Sequence, residues 1–409
     1  MGATPRGPRA WQSHNRCVVT PSPRRPSPPP VIDIEELAAW LRLLESPGST
    51  RAGVRRLLAA FGGPHSVLRA PATARATRVD AAFADSLNTV TPEVERLIDA
   101  TASWLHGASP DAPRHVVTLG DPDYPPLLLQ TADPPLLLYV LGDPARCSAP
   151  SIAIVGSRSA TAQGLDHARA FGRHLSERGL TVISGLAAGI DAAAHEGALK
   201  GPGGTVAVVG TGLDIVFPER HAALAARIAR AGAVVSEYPL GTPPRGINFP
   251  QRNRIIAGLS FGTLVVEAAL ASGSLITARQ ALEACREVFA IPGSVHSPQS
   301  RGCHLLIQQG AKLVETGDDI IEELGFGTVR AARAATPADP STPDPASAHR
   351  TVAVDHVLEA MGYDPIDIDE LSARTGMGAA ALGARLLSLE LEGRVARLPG
   401  GRLQRRAAS

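Results

Sequence analysis

The middle of the chain alternates short apolar runs with helical patterns. Six apolar runs predict strands at residues 152–155, 181–183, 206–209, 234–235, 264–266 and 288–291. Short apolar strands separated by helices are typical of βαβ units, which form a parallel sheet through right-handed crossovers. The pattern therefore predicts an α/β domain over residues 109–325.

Residues 31–108 have the periodicity of helices instead. Leu37, Trp40, Leu41 and Leu44 share one helical face, which predicts a small N-terminal helical domain. Residues 1–30 are rich in Pro, Arg and Ser and lack the apolar stretch of a signal peptide. We interpret them as a disordered tail or an over-extended start.

The C-terminal part of the chain begins with residues 326–350, whose Ala, Pro, Thr and Ser content predicts a linker. Residues 351–409 then show three helical patterns and two short strands around a Pro-Gly-Gly turn, which predict a winged helix. Its third helix carries Glu390 and Glu392 beside a single arginine, Arg385. This helix lacks the basic face that a major-groove recognition helix needs.

The overall charge of +1 on 409 residues means that any nucleic-acid site must be a local patch. The four cysteines are widely spaced, so the sequence predicts neither a C-x-x-C metal site nor a disulfide framework, and a reducing cytoplasm fits. No stretch is long and apolar enough to span a membrane.

Glycine-containing turns follow several predicted strands. Gly156, Ser157 and Arg158 lie between a strand and a helix, and Gly185 follows the next strand. In a parallel sheet such turns meet at one edge, where backbone amides, helix N-termini and an arginine fork favour a phosphate-bearing ligand. The full dinucleotide fingerprint, an acid at the tip of the second strand and the Walker pattern are absent, which argues against NAD, FAD and ATP hydrolysis.

A second basic motif opens a later helix. Arg252 and Arg254 flank Asn253, and two guanidiniums in this arrangement can grip a sugar-phosphate backbone. Asn253 either fixes the loop or reads a base edge. Phe249 either stacks on a base or is buried under the loop.

Three further polar residues suit acid/base chemistry by type. Asp191 and His195 lie four residues apart on one helical face, and Glu267 ends a predicted strand. No nucleophile or metal ligand accompanies the first two, which favours an internal hydrogen bond, and Glu267 is expected to bond loop amides. We therefore expect no catalytic residue, metal or cofactor.

Several motifs in this order resemble the DNA-processing protein A (DprA/Smf) family. The motifs are residues 156–158, 184–191 with His195, 212–214, 236–239, 249–258 and 272–278. The resemblance implies an extended Rossmann fold, often flanked by a sterile-alpha-motif-type helical domain and a winged helix. It also implies single-stranded DNA binding, a homodimer and help in loading the RecA recombinase onto incoming DNA, which the protein protects during natural transformation.

Carried over by motif, Arg158 and the loop from Arg252 to Arg254 would contact the DNA backbone. Two positions depart from the family pattern. Ala188 stands where a basic residue is common, and Glu219 stands where some members are basic. Lys200 and Arg220 are candidate substitutes for the missing charges.

The segment of residues 304–313 is a candidate dimer interface. Leu306, Ile307 and Leu313 form either an apolar surface patch or ordinary core. Resemblance to a dimeric family favours the twofold contact.

Two other functions remain open. Phosphoribohydrolases that cleave nucleoside monophosphates share a nucleotide-binding fold, but residues 260–267 lack their glycine-rich lead and space the acid differently. The other is an interaction scaffold whose terminal domains carry the function.

Overall fold

The computed structural model describes residues 32–326, 355–362 and 364–406. The tail predicted at residues 1–30 and the linker predicted at residues 326–350 lie outside this part of the chain, apart from Phe326.

Residues 32–108 form a helical layer on one edge of the sheet. The helices are α1 (Ile34–Glu45), α2 (Arg51–Phe61), α3 (Pro64–Arg69), α4 (Ala72–Arg75), α5 (Ala81–Ser86) and α6 (Pro92–His106). Thr50 starts α2 by accepting a hydrogen bond from the Gly53 amide at 3.0 Å, and Thr91 starts α6 in the same way. Leu37, Val54 and other buried side chains pack against Tyr139 of the sheet, so this layer and the sheet share a core.

The central sheet has nine strands in the order β1-β2-β6-β5-β4-β3-β7-β8-β9. The strands are β1 (Arg114–Thr118), β2 (Leu137–Gly142), β3 (Ser151–Val155), β4 (Thr181–Ser184), β5 (Thr205–Val208), β6 (Ala233–Ser236), β7 (Gly262–Val265), β8 (Glu287–Ala290) and β9 (Lys312–Leu313). β1 and β2 pair in antiparallel fashion, and β2 joins β6 antiparallel, with Val140 opposite Val235. All strands from β3 to β9 are parallel to one another.

Helices cover both faces of this sheet. They are α7 (Pro126–Leu129), α8 (Ala162–Glu177), α9 (Ile190–Ala198), α10 (Ala222–Ala231), α11 (Asn248–Leu259), α12 (Ser274–Glu283), α13 (Arg301–Gln308) and α14 (Gly317–Glu323), with short 3-10 turns at Pro144–Ser148 and Glu219–His221. The buried side chains form a core on each side of the strands. The predicted α/β fold class is confirmed, and each of the six predicted strands is present to within two residues at either end.

The C-terminal region forms a separate small core. It contains α15 (His356–Met361), α16 (Ile368–Thr375), α17 (Ala379–Leu391), β10 (Val395–Arg397) and β11 (Leu403–Arg405). Leu371, Leu386 and Leu403 are among its fully buried residues. Three helices and an antiparallel ribbon constitute the predicted winged helix.

In the described part of the chain, no helix combines the length and apolarity needed to cross a membrane.

Candidate functional site

A cleft of about 480 Å³ lies at the carboxyl edge of the sheet, where the strand order changes direction. The chain runs from β3 to β4, β5 and β6 on one side of β3, and β7 then pairs with the other side. In open α/β sheets this switch point opens a crevice for ligands. Residues from the loops after β3 and β7, including Ser157 and Ser272, line the cleft together with Phe249 from α11.

Gly156 lets the first turn pass close to two neighbouring elements. A Cβ atom at this position would lie 2.6 Å from Cγ1 of Ile190 and 2.9 Å from the backbone oxygen of Glu267. Ser157 is buried, and its hydroxyl accepts a hydrogen bond from the Ser159 amide at 3.2 Å. The turn is therefore closely packed, and Arg158 is exposed beside it.

Arg158 is the exposed cation at the mouth of this cleft. Its Cζ atom lies 5.8 Å from the centroid of the Phe249 ring. No carboxylate in residues 32–326, 355–362 or 364–406 forms an ion pair with it. Arg158 thus presents its charge to an external anion.

Phe249 is half-buried and packs beside Phe217, with ring centroids 5.6 Å apart and planes inclined by 39°. Phe217 is 45% exposed although it is a large apolar side chain. Sequence reasoning missed Phe217. The available signal was its place directly before Pro218, in the loop that follows a parallel strand. The two rings and Arg158 make a mixed aromatic and cationic surface.

Arg252 has a different environment from the one predicted. It is 4% exposed and donates from Nη1 to the carbonyl oxygens of Gly185, at 2.7 Å, and Val208. Its Nε donates to Oδ1 of Asn253 at 3.0 Å. Burial lowers the pKa of Arg252 to about 10, with Asp191 acting in the opposite direction, so the side chain stays protonated at neutral pH. Arg252 lines the cleft but chiefly joins the ends of β4 and β5.

Gly185 was predicted to contact phosphate, and this prediction is corrected because its backbone groups are already bonded within the protein. The Gly185 amide donates to Oδ2 of Asp191 at 3.1 Å, and its carbonyl accepts from Arg252. Both backbone groups are therefore occupied, and the residue is buried. A Cβ atom here would collide with the Arg252 guanidinium, so glycine makes room for that side chain.

Asp191 and His195 bond to other groups rather than to each other. Asp191 also accepts from the Ala187 amide at 3.3 Å, and burial raises the pKa of its carboxyl group. His195 lies 2.7 Å from the hydroxyl of Thr205, which donates to the carbonyl of Val182, so Nδ1 of His195 is the donor. Burial lowers the pKa of His195 to about 3. A neutral, fully buried imidazole in this position is structural.

Glu267 bonds a loop amide, as the sequence analysis expected. Its Oε2 accepts from the Thr161 amide at 3.0 Å, and its Oε1 accepts from the Thr161 hydroxyl at 2.5 Å. Burial raises the pKa of Glu267, and these hydrogen bonds offset the increase only in part. Both carboxylate oxygens thus hold the start of α8.

Arg254 lies outside the cleft, which corrects its predicted role as a DNA contact. It pairs with Glu237 and donates to the carbonyl of Asp133 at 2.7 Å. Asp133 also pairs with Arg51 and Arg55 of the helical layer. Asp133 therefore ties the two regions together, and Arg254 holds it from the side of the sheet. A cavity of about 1060 Å³ lies beside this network, and its walls carry charges of both signs.

The remaining predicted contacts divide between the two edges of the sheet. Lys200 follows α9 and precedes β5, which places it at the amino edge, away from the cleft; its predicted role as a substitute DNA contact is corrected. Arg220 is exposed at the carboxyl edge, on the turn that His221 anchors to the Leu186 carbonyl at 2.9 Å. Asn253 lines the cleft, and its Nδ2 lies 3.5 Å from the Gly273 carbonyl.

The three predicted interface residues differ in exposure. Leu306 is 5% exposed and belongs to the sheet core, so its assignment to a surface patch is wrong. Ile307 is half-buried against the same core. Leu313 is 44% exposed on the edge strand β9.

Known proteins match the chain over most of its length. The family model of DNA recombination-mediator protein A matches residues 115–325, and the model of the DprA winged helix domain matches residues 336–401. Protein Smf of Escherichia coli (strain K12) is 43% identical over 313 residues, which cover 76% of this chain and 82% of that protein. DNA processing protein DprA of Streptococcus pneumoniae (strain ATCC BAA-255 / R6) is 47% identical over 206 residues, covering 50% of this chain and 73% of that protein.

The X-ray structure of DNA processing protein A from Streptococcus pneumoniae has a similar fold. Its TM-score to this chain is 0.58 at 36% sequence identity, and the match covers 72% of this chain and 98% of that one.

Proposed function

This chain belongs to the DNA recombination-mediator protein A family, and we propose that it binds single-stranded DNA at the carboxyl edge of its sheet. The observation that carries the proposal is Arg158, an exposed cation without a carboxylate partner among the described residues, placed 5.8 Å from the Phe249 ring at the mouth of a cleft. The relative from Streptococcus pneumoniae is named as a DNA processing protein, which supports the same class of ligand.

The chemistry of the cleft suits a strand without a complement. The guanidinium of Arg158 engages a phosphate, while Phe249 and Phe217 offer rings on which unpaired bases stack. Ring stacking tolerates every base, and phosphate contacts carry no sequence information. Binding should therefore be salt-sensitive and largely independent of sequence.

The surface of the cleft rests on buried hydrogen bonds among Arg252, Gly185 and Asp191. Their hydrogen bonds fix the loop after β4, and Arg252 also bonds the end of β5. Arg220 and Asn253 lie at the correct edge and remain proposed DNA contacts, as do Gly156 and Ser157 in the turn.

The wider role follows from the ligand and the family. We infer that the protein protects incoming single strands and helps to load the RecA recombinase in natural transformation and recombination, in the cytoplasm. A homodimer through Ile307 and Leu313 would place two DNA sites on one particle and raise avidity. The description of the family as recombination mediators supports this role.

A nucleotide-cleaving enzyme on the same fold is the alternative, and the hydrogen bonds of the site do not favour it. Such chemistry needs a carboxylate that faces the ribose, and Glu267 uses both of its oxygens to hold Thr161. His195 is fully buried and has a pKa of about 3, which does not suit proton transfer near neutral pH.

Electrophoretic mobility shift with single-stranded and duplex oligonucleotides of one sequence tests the proposal. We expect the full chain to retard the single strand at lower protein concentration than the duplex. Equal or stronger retardation of the duplex would contradict the proposal. Release of free base from nucleoside monophosphates would favour the enzyme instead.

A further inference from the structure

The wing of the winged helix lies against the first two turns of α8, the helix that follows the Gly156 turn. Arg406 donates from Nε and Nη2 to the two carboxylate oxygens of Asp166, at 2.8 and 2.7 Å. Two hydrogen bonds join Gln404 to Gln163. The backbone amide of Gln163 donates to Oε1 of Gln404 at 3.3 Å, and Nε2 of Gln404 donates to Oε1 of Gln163 at 3.1 Å. Gln404 is 2% exposed.

The contact covers the start of a helix at the same edge as the cleft. The first amides of a helix have no partner within the helix, and anions bind there readily. Here Thr161 accepts from the Gly164 amide at 3.0 Å, and Gln404 accepts from the Gln163 amide. The wing thus occupies a donor a few residues beyond Arg158.

The contact is polar and open. A cavity of about 480 Å³ remains between the wing and the sheet, with Gln163, Glu267 and Gln404 in its walls. Arg406 and Asp166 keep 38% and 22% of their side chains exposed. The ion pair is open to solvent, which competes with its bonds, and among the bonded residues only Gln404 is buried. A contact of this small size should be reversible.

We propose that the docked wing competes with single-stranded DNA for this edge of the sheet. The docked state has low affinity for DNA, and release of the wing gives a state of high affinity. A phosphate group and the Gln404 side chain compete for the same donor, the backbone amide of Gln163 at the start of α8. The competition rests on the proposed function, because it requires that DNA binds at this edge.

The size of the effect follows from the population of the released state. The apparent dissociation constant equals the intrinsic one divided by the fraction of chains that are undocked. Loss of one partly exposed ion pair should change that fraction modestly, so we expect release to lower the apparent dissociation constant about three- to tenfold.

Arg406→Glu in the full chain distinguishes release of the wing from simple loss of positive charge. The two effects change the affinity for DNA in opposite directions. Replacing a cation by an anion near a DNA site weakens binding if only electrostatics acts. Release of the wing strengthens it. Arg402→Glu is the matched control, since Arg402 is exposed on the same ribbon and its side chain has no hydrogen-bond or ion-pair partner among the described residues. Arg406→Glu combined with Asp166→Arg restores the pair with reversed charges.

Two readouts test the proposal. Small-angle scattering of the free proteins reports docking, and Arg406→Glu should increase the radius of gyration, while Arg402→Glu and the charge-reversed double variant should resemble the wild type. Anisotropy titration with a labelled oligothymidine should give tighter binding for Arg406→Glu, unchanged or weaker binding for Arg402→Glu, and a return towards wild-type affinity for the double variant.

The outcomes are distinct. An Arg406→Glu protein that stays as compact as the wild type would overturn the docking contact. A protein that expands but binds no more tightly than Arg402→Glu would overturn the competition alone. Absence of single-strand binding in every variant, including those that expand, would contradict the proposed function and the competition with it.

Discussion

Arg252 donates a hydrogen bond of 2.7 Å to the backbone carbonyl of Gly185, from a guanidinium that is almost entirely buried. The bond joins α11 to the loop after β4, and a second bond from the same nitrogen reaches Val208 at the end of β5. An arginine that sequence reasoning assigned to DNA therefore shapes the protein side of the cleft. Its effect on DNA is indirect, through the positions of these loops.

Arg252→Ala should destabilise the fold as well as weaken DNA binding. The change leaves two buried carbonyls without a donor and Asp191 without its nearby cation, at a cost of about 1 to 3 kcal/mol. Chemical denaturation followed by circular dichroism measures the loss. Arg220→Ala, at an exposed position, should leave the free energy of unfolding within about 0.5 kcal/mol of wild type. Equal stability of the wild type and Arg252→Ala would contradict the structural role.

Removal of either aromatic ring at the cleft should weaken binding without changing its salt dependence. Phe249→Ala and Phe217→Ala each lose a stacking partner, which is worth about 1 to 3 kcal/mol per base. Neither removes a charge, so the slope of log affinity against log salt should stay constant. Titrations at several salt concentrations measure both quantities. Wild-type affinity in a folded Phe217→Ala protein would remove that ring from the site.

The buried imidazole of His195 should make the protein less stable in mild acid. Its pKa is about 3 in the fold and about 6.5 when unfolded, so below pH about 6.5 the unfolded chain binds an extra proton. The resulting loss of stability approaches about 1.4 kcal/mol per pH unit and levels off near pH 3. Comparison of unfolding free energies between wild type and His195→Gln across this range isolates the effect. If the unfolding free energies of the two proteins changed with pH in parallel, His195 would not be the cause of the acid sensitivity.

Substitutions in residues 304–313, the candidate dimer interface, should show which side chains belong to the core and which to the interface. Leu306→Glu buries a charge and should unfold the domain, since Leu306 is 5% exposed. Leu313→Glu should give a folded monomer with weaker binding to long single strands, because avidity is lost. Light scattering and circular dichroism measure assembly and folding together.

Leu129→Glu, at an exposed leucine on α7, is the matched control and should leave assembly unchanged. An unaltered dimer in Leu313→Glu would contradict the interface.

The apolar periodicity of the chain was sufficient to predict six of the seven parallel strands, β3 to β8, and the winged helix. It missed the two-residue parallel strand β9. It also missed β1 and β2, because residues 121–139 contain many prolines and β1 joins the sheet only through the antiparallel β2. Periodicity reports local structure, and neither pairing is local.

The site was predictable in part. The turn at Gly156 and the exposed Arg158 follow from a strand that ends in glycine before a helix. Residue type alone could not separate Arg158 from Arg252 and Arg254, because their partners Gly185, Val208 and Glu237 lie at least 17 positions away in the sequence. Lys200 was misplaced for a related reason, since a crossover helix returns the chain to the opposite edge of the sheet.

The most direct test of the account is the salt dependence of single-strand binding by Arg158→Ala, with Lys200→Ala as the matched control. Both residues are exposed cations, at opposite edges of the sheet. We predict that Arg158→Ala loses about 1 to 3 kcal/mol of binding free energy and that its salt slope falls by about 1, because one phosphate contact is lost. Lys200→Ala should match the wild type in both quantities. Unchanged affinity and slope in a folded Arg158→Ala protein would contradict the proposed site.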